Sequence, residues 1–335
     1  MRAILVLFAA AVAFSVLQAQ EFTVLFTASL NGNLDGCFCK SNPKSGLVKR
    51  AYFLNEYRKQ NKNTVLVESG DILSPDQMYL KEKAIVNGVA VERPIKEPYI
   101  FEGFRYMKYD AIVLGDQDLS KGVAYFLNEA KTLPYLNANV TLKEDGKAAA
   151  FGTPYLIKNV GGVKVGIIGA TGDVAFRYQK AAIKNDVDVE SDVQAISKYA
   201  KELAAQKVDV IMLVAHAGYD READLLKKIP ELSIVVGGHD QHLPVKDPDM
   251  SYDREEIDMK LVDFDGKYLL TSGPNGNRVG AATFRIWNGK VMLKQMKLHY
   301  LDYGKEKDDP KVREWINEVV QKEMKAFEKR RVEIK

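Results

Sequence analysis

Cysteine is almost absent from these 335 residues: Cys37 and Cys39, one residue apart, are the only two. A Cys-x-Cys ring closes almost no chain, so a disulfide there removes little unfolded-state entropy and is a weak structural staple. Histidine is scarce too, with four in all. No excess of one charge exists either: 48 Lys and Arg stand against 45 Asp and Glu, a net charge of +3. That balance argues neither for nucleic acid nor for an anionic surface. Beyond the N-terminus no segment is apolar enough to span a bilayer. Internal repeats, low-complexity tracts and long linkers are missing. What remains has ample material for a core, in one large domain or two small ones.

The N-terminus is the exception to that polar balance. Met1-Arg2 gives a positive start, an apolar run covers Ala3 to Val16, and Leu17-Gln18-Ala19 follows. The pattern predicts a signal peptide over residues 1–19, cut after Ala19. The apolar run is shorter than the ~20 residues a spanning helix needs. No cysteine follows the cut, which argues against a lipid anchor. The mature chain, with a net charge of about +2 once Arg2 is gone, is expected to be secreted or in a bacterial periplasm, an oxidising compartment.

Short apolar runs recur along the chain. Phe22–Ala28, Thr64–Glu68, Ala111–Gly115, Val163–Ala170, Val208–Ala215 and Leu232–Gly237 read as buried strands. Helical patterns lie between many of them: Gly46–Gln60, Glu97–Lys108, Gly122–Thr132, Ser191–Gln206 and Asp220–Lys228. The alternation predicts an α/β layered fold. From Lys260 onward, Lys260–Asp265, Tyr268–Ser272, Arg278–Trp287 and Val291–Leu301 alternate as antiparallel strands do, with Asp265-Gly266 and Asn288-Gly289 as hairpin turns. Ser74–Pro98 is the least regular stretch. Trp287 and Trp315 read as packing residues. A charged helix, about Pro310 to Arg330, closes the chain. The expected division is a domain over 20–305 and a C-terminal helix within 306–335.

In such folds ligands sit at the carboxyl ends of the strands. Unusual residues stand at those ends here. One strand runs into Ser69-Gly70-Asp71, another into Gly115-Asp116-Gln117-Asp118, another into His216, and another into Gly237-Gly238-His239-Asp240-Gln241-His242. Any one of these taken singly reads as a helix cap or a solvated loop residue. Four at successive strand ends point to convergence on one site, and carboxylates with imidazoles are what a divalent metal needs.

In order and context these segments resemble the secreted 5'-nucleotidase branch of the calcineurin-like metallophosphoesterases. The resemblance rests on "TVLVESGDIL", "YDAIVLGDQDLSKG", "LPYLNANV", "GVKVGIIGAT", "VDVIMLVAHAG" and "SIVVGGHDQH", and covers residues 22 to 300. It implies a four-layer α/β/β/α sandwich. In that family two metals hold a phosphate ester, neutralise its charge and generate a hydroxide nucleophile. By resemblance Asp71 is the carboxylate between the metals, His216 and His239 are ligands, and Asp116 stands where the family has an asparagine ligand. Gln241 matches a glutamine that some members place on the other metal. His242 has no counterpart and reads as an exposed loop histidine.

The family's opening Asp-x-His-Gly is Ser29-Leu30-Asn31-Gly32 here, which weakens the first metal site. The histidine of the family's Gly-Asn-His-Glu is Gln117, which donates a hydrogen bond but is no acid near neutral pH. Its acidic partner is Ser120. The resemblance therefore implies one retained site for a divalent metal (Mn, Zn, Fe or Co), with Asn31, Gln117 and Gln241 left to contact a phosphoryl group or a weak second metal. Full-length nucleotidases of this branch carry a further domain that stacks the base. The chain stops soon after its closing helix, so nucleotide specificity is not expected from the resemblance.

Cys37 and Cys39 follow the altered Asp-x-His on the same loop. Three readings stay open for them. A strained, redox-active pair is favoured, because strain eases reduction and a nearby cation lowers a thiol pKa. A subgroup of secreted nucleotidase-like proteins with such a pair is similar to "GCFCKSNPKSGLVKR". The thiolates could instead replace the lost metal ligands, or simply trim a loop. The expected function is an exported, metal-dependent phosphoesterase acting on a small phosphorylated substrate. The alternative is a scaffold repurposed as a redox or binding protein through Cys37 and Cys39, with an unknown redox partner.

Overall fold

The computed structural model describes residues 20–36, 45–74, 83–86, 89–92, 96–240, 263–273, 276–302 and 304–333. Its first strands are β1 (Gln20–Thr27), β2 (Thr64–Glu68), β3 (Lys83–Val86), β4 (Val89–Glu92), β5 (Ala111–Val113) and β6 (Tyr135–Leu136). Next come β7 (Val140–Glu144), β8 (Lys147–Ala149), β9 (Tyr155–Val160), β10 (Val163–Thr171) and β11 (Val187–Val189). The last are β12 (Val210–His216), β13 (Ile234–Gly237), β14 (Asp263–Phe264), β15 (Lys267–Thr271), β16 (Arg278–Trp287) and β17 (Lys290–Tyr300).

Two six-stranded sheets dominate, ordered β17-β16-β1-β2-β5-β6 and β14-β15-β13-β12-β10-β9. Their strands are apolar on both faces, and period-2 alternation sends each face to a different core. Phe22, Val24 and Phe26 of β1 meet Val210, Met212 and Val214 of β12 in the layer between the sheets. Leu25 and Leu66 face the other way, onto Leu47, Val48 and Leu54 of the Gly46–Gln60 helix and Phe101 and Phe104 of the Glu97–Met107 helix. Ile211, Leu213 and Val235 pack outward onto Ile196, Leu203, Leu225 and Leu226. Three apolar layers separate four layers of structure, the α/β/β/α sandwich expected. Among the described residues, no helix is long and apolar enough to cross a membrane.

The closing helix spans Pro310–Glu333 and buries Val312, Trp315, Ile316 and Val319. Trp315 packs as expected, but Trp287, at the end of β16, is 47% exposed. It sits where the hairpin leaves the sheet, beyond reach of a second layer. The turns Asp265-Gly266 and Asn288-Gly289 have positive φ at both residues, the geometry of tight hairpins. Tyr268–Ser272 differs from expectation: β15 pairs in parallel with β13 and antiparallel only with the two-residue β14. A parallel pair needs a crossover of a dozen or more residues, and the separation of Gly237 from Lys267 supplies it. The stretch read as irregular holds the antiparallel pair β3–β4. Its signal is present in the sequence as Asn87-Gly88 between two β-branched runs.

Candidate metal centre

β1, β2, β5, β12 and β13 all end on one side of the molecule, because β1, β2 and β5 run parallel in one sheet and β12 and β13 run parallel in the other. The turns after these strands are tight. Asp71 and His239 hold positive φ (58° and 80°), as do Ser29 and Asn31 (48° and 52°). Such backbone is uncommon for residues with a Cβ and clusters at functional sites. Gly70 lets the turn close. A Cβ there would stand 2.7 Å from Nδ1 of His216 and 2.8 Å from the Gly115 nitrogen.

Asp71, Asp116, His216 and His239 form a cluster in which each offers one ligand atom, all within 4.8 Å of one another. Nδ1 of His216 lies 2.7 Å from the carbonyl oxygen of Ser69. A carbonyl only accepts, so Nδ1 carries the proton and Nε2 is the nitrogen that faces the cluster and could ligate. Nε2 stands 3.2 Å from Oδ1 of Asp116, 3.4 Å from Oδ1 of Asp71 and 3.0 Å from Nδ1 of His239. His239 Nδ1 is also 3.3 Å from Oδ1 of Asp116.

The electrostatics match this crowding. Burial opposes a charge on His216, but Asp71 and Asp116 outweigh it and raise its pKa to about 10. Burial pushes Asp71 up to about 6. Burial also works to raise Asp116, yet hydrogen bonds from His216 and His239 prevail and hold it well below the usual carboxylate range. Without a cation, a proton on His216 partly neutralises two buried carboxylates. A divalent ion does the same work with two charges.

The donor set fits such an ion: two imidazoles and two carboxylates suit zinc, manganese, iron or cobalt. Two further atoms point the same way. The amide oxygens Asn31 Oδ1 and Gln117 Oε1 are buried without a hydrogen-bond partner, a state that polar atoms avoid unless a ligand completes them. The Asn31 backbone nitrogen donates to the Asp71 carbonyl at 2.9 Å, which ties the loop after β1 to the loop after β2. Gln117 donates twice to Asp71, from its backbone nitrogen to Oδ1 (3.1 Å) and from Nε2 to Oδ2 (2.8 Å). Gln117 thus orients Asp71. Gln241, Cys37, Cys39 and His242 lie outside the described residues.

Three other residues shape the site and were missed in the sequence. Asp118, wholly buried, accepts from the backbone of Gly115 (2.8 Å) and Leu73 (3.0 Å), joining the loops that carry Asp71 and Asp116. Glu222 does the same for the histidines. Its Oε1 accepts from the backbone nitrogens of Ala217 (3.2 Å), Gly218 (3.2 Å) and Gly238 (3.0 Å). Burial pushes both carboxyls up to about 8. Gln179, on the loop after β10, donates from Nε2 to Oδ2 of Asp116 at 2.9 Å. Asp118 stands in the motif already read. A carboxylate on the first helix after His216 is a weak signal, and Gln179 carries none.

No family model matches the chain. It is 26% identical over 252 residues to the trifunctional nucleotide phosphoesterase protein YfkN of Bacillus subtilis, covering 66% of this chain and 16% of that protein. It is 26% identical over 304 residues to the 2',3'-cyclic-nucleotide 2'-phosphodiesterase/3'-nucleotidase of Salmonella typhimurium, covering 83% and 45%. The chain therefore spans less than half the length of either curated relative. The crystal structure of the calcineurin-like phosphoesterase YfkN from Bacillus subtilis superposes with a TM-score of 0.68 at 21% identity, over 92% of this chain and 99% of that one. The chain has the fold of the calcineurin-like phosphoesterases, and its relatives in sequence are nucleotide phosphoesterases.

Proposed function

We propose that this chain is an exported phosphoesterase that cleaves a small phosphate ester with one divalent cation held by Asp71, Asp116, His216 and His239. The observation that carries the reading is the convergence of these four side chains from four strand ends, with ligand atoms within 4.8 Å of one another. The names of the relatives favour a nucleotide or cyclic nucleotide as substrate. A cation bound here would supply Lewis acidity and a lowered pKa for coordinated water. His216 offers Nε2 because Ser69 fixes its tautomer. Asp71 is held in register by Gln117. Asn31 and Gln117 have amide oxygens free to complete the ligand set, and the Asn31 amide, when turned, offers a donor for a phosphoryl oxygen. Neither amide protonates a leaving group near neutral pH, so substrates with good leaving groups are favoured.

The test is hydrolysis by the purified chain from residue 20, with added Mn2+, Zn2+ or Co2+, of bis(p-nitrophenyl) phosphate, 3'- and 5'-nucleotides and 2',3'-cyclic nucleotides. Turnover that disappears with a chelator is expected. Failure on every ester with every metal overturns the reading. A thiol function through Cys37 and Cys39 is the second reading. What favours it is the amide of Asn31 on the β1 side of the site, where a charged ligand would strengthen a second cation. It requires a low-pKa cysteine and a response to dithiothreitol. It also requires Cys37→Ser to abolish function while Asp71→Asn spares it.

A further inference from the structure

We infer that Gln179 is a positioning residue that assigns Oδ1 of Asp116 to the cation by occupying Oδ2. The inference rests on the metal reading above. An ionised carboxylate has two equivalent oxygens and only accepts hydrogen bonds. Asp116 is treated unequally: Oδ1 faces His216 Nε2 at 3.2 Å and His239 Nδ1 at 3.3 Å, while Oδ2 takes the Nε2–H of Gln179 at 2.9 Å. Left alone, the carboxylate could turn about its last bond and offer either oxygen or both. A donor fixed on Oδ2 stops that rotation, which is how an outer hydrogen bond tunes a metal ligand.

The donor is well placed to do so because it comes from the other sheet. Asp116 follows β5, whereas Gln179 lies on the loop after β10. That loop is anchored. Ala175 and Phe176 are buried in the helical core, Gly172 donates to the carbonyl of His216 at 2.9 Å, and Gln179 donates to the carbonyl of Phe176 at 3.1 Å. The register β10–β12 places Thr171 beside His216. One loop thus braces the backbone of one ligand and the side chain of another. The choice of an amide also has a reason. A lysine could fill Oδ2 equally well, but its charge would neutralise Asp116 and repel a divalent ion. Glutamine supplies the hydrogen bond and leaves the full negative charge for the metal.

The experiment is calorimetric titration of Zn2+ into the mature chain, its Gln179→Met variant, and the cycle of Gln179→Glu with Asp116→Asn. Gln179 is half-buried on a loop outside the strands and long helices, so a circular-dichroism melt should show the fold intact. Gln179→Met is expected to weaken Zn2+ binding about tenfold, the scale of outer hydrogen bonds to metal ligands, and to shift the visible spectrum of the Co2+-loaded protein. Gln179→Glu should be harmful beside Asp116, where two carboxylates face each other. In the Asp116→Asn background it should be neutral or beneficial, because the amide introduced there can donate to the new carboxylate. The through-space attraction of the added charge is common to both backgrounds and cancels in the cycle. Equal Zn2+ affinities and identical Co2+ spectra for wild type and Gln179→Met, or additivity across the cycle, would overturn the inference alone. No Zn2+ or Co2+ binding by the wild-type chain would overturn the metal reading and the inference with it.

Discussion

Nδ1 of His239 stands 3.0 Å from Nε2 of His216. Two imidazole nitrogens face each other at hydrogen-bond distance, with Oδ1 of Asp116 and Oδ1 of Asp71 beside them. Only one shared proton, or one cation, satisfies all four atoms. On the proposed reading, a proton and a cation compete for His216 Nε2.

That competition fixes a pH dependence. His216 has a folded pKa raised to about 10 from 6.5. A raised pKa means that the charge stabilises the folded state fully below about pH 6.5, and that this contribution is lost as pH climbs toward 10. In the presence of a chelator the melting temperature should fall across that window. With Zn2+ present the proton must leave Nε2, so cation binding strengthens with rising pH. The gap in melting temperature between Zn2+-loaded and chelated protein should widen from about pH 6.5 to about pH 9. A gap that stays constant would show that no proton is displaced.

His216→Ala should remove the cation site. The side chain is wholly buried and its Nε2 approaches the other three ligands. Zn2+ affinity should drop by more than the roughly 100-fold that marks the upper end for outer hydrogen-bond partners. Retained tight binding would move the site elsewhere in the chain.

Much of this is legible in the sequence because it depends on strands that bury both faces. The sequence pattern matches Thr64–Glu68 and the Gly46–Gln60 helix to the residue, and the four residues that cluster, Asp71, Asp116, His216 and His239, stand out as polar residues at the ends of apolar runs. The supporting shell is not legible. Gln179 meets Asp116 only because β5 and β10 belong to facing sheets, a relation between residues 63 apart that no local pattern carries. The parallel pairing of β15 escapes the sequence because period-2 alternation reports burial and not strand direction.

Glu222 and Gly237 make a second testable pair. A Cβ on Gly237 would lie 1.7 Å from Oε2 of Glu222. Gly237→Ala must displace that carboxylate from the three backbone nitrogens it satisfies around His216 and His239. Leaving buried donors unpaired costs about 1–3 kcal/mol each, so a destabilisation of about 2 kcal/mol or more is expected in urea titration, together with weaker Zn2+ binding. Glu222→Gln keeps an acceptor oxygen and should cost less than Glu222→Ala. Equal losses for the two would mean that the carboxyl group itself, which glutamine lacks, and not its volume or one acceptor oxygen, sets the penalty.

Beneath the site, Arg50 and Glu68 form an ion pair with no solvent exposure on either side chain, Nη1 to Oε2 at 2.8 Å. Thr27 donates to the same Oε2, and Tyr109 stands 2.8 Å from the Thr27 hydroxyl. Arg50 Nη2 also reaches the carbonyl of Ala28 at 3.4 Å. The pair therefore ties the Gly46–Gln60 helix to the ends of β1 and β2, where the loops bearing Asn31 and Asp71 begin. Arg50→Met strands a buried carboxylate and should cost roughly 3–5 kcal/mol. Glu68→Gln removes the stranded charge while keeping an acceptor for Thr27, so the double variant Arg50→Met, Glu68→Gln should be more stable than Arg50→Met alone. Urea denaturation of the three variants decides it. A double variant no more stable than the single one would mean that packing of the arginine stem, and not its charge, carries the loss.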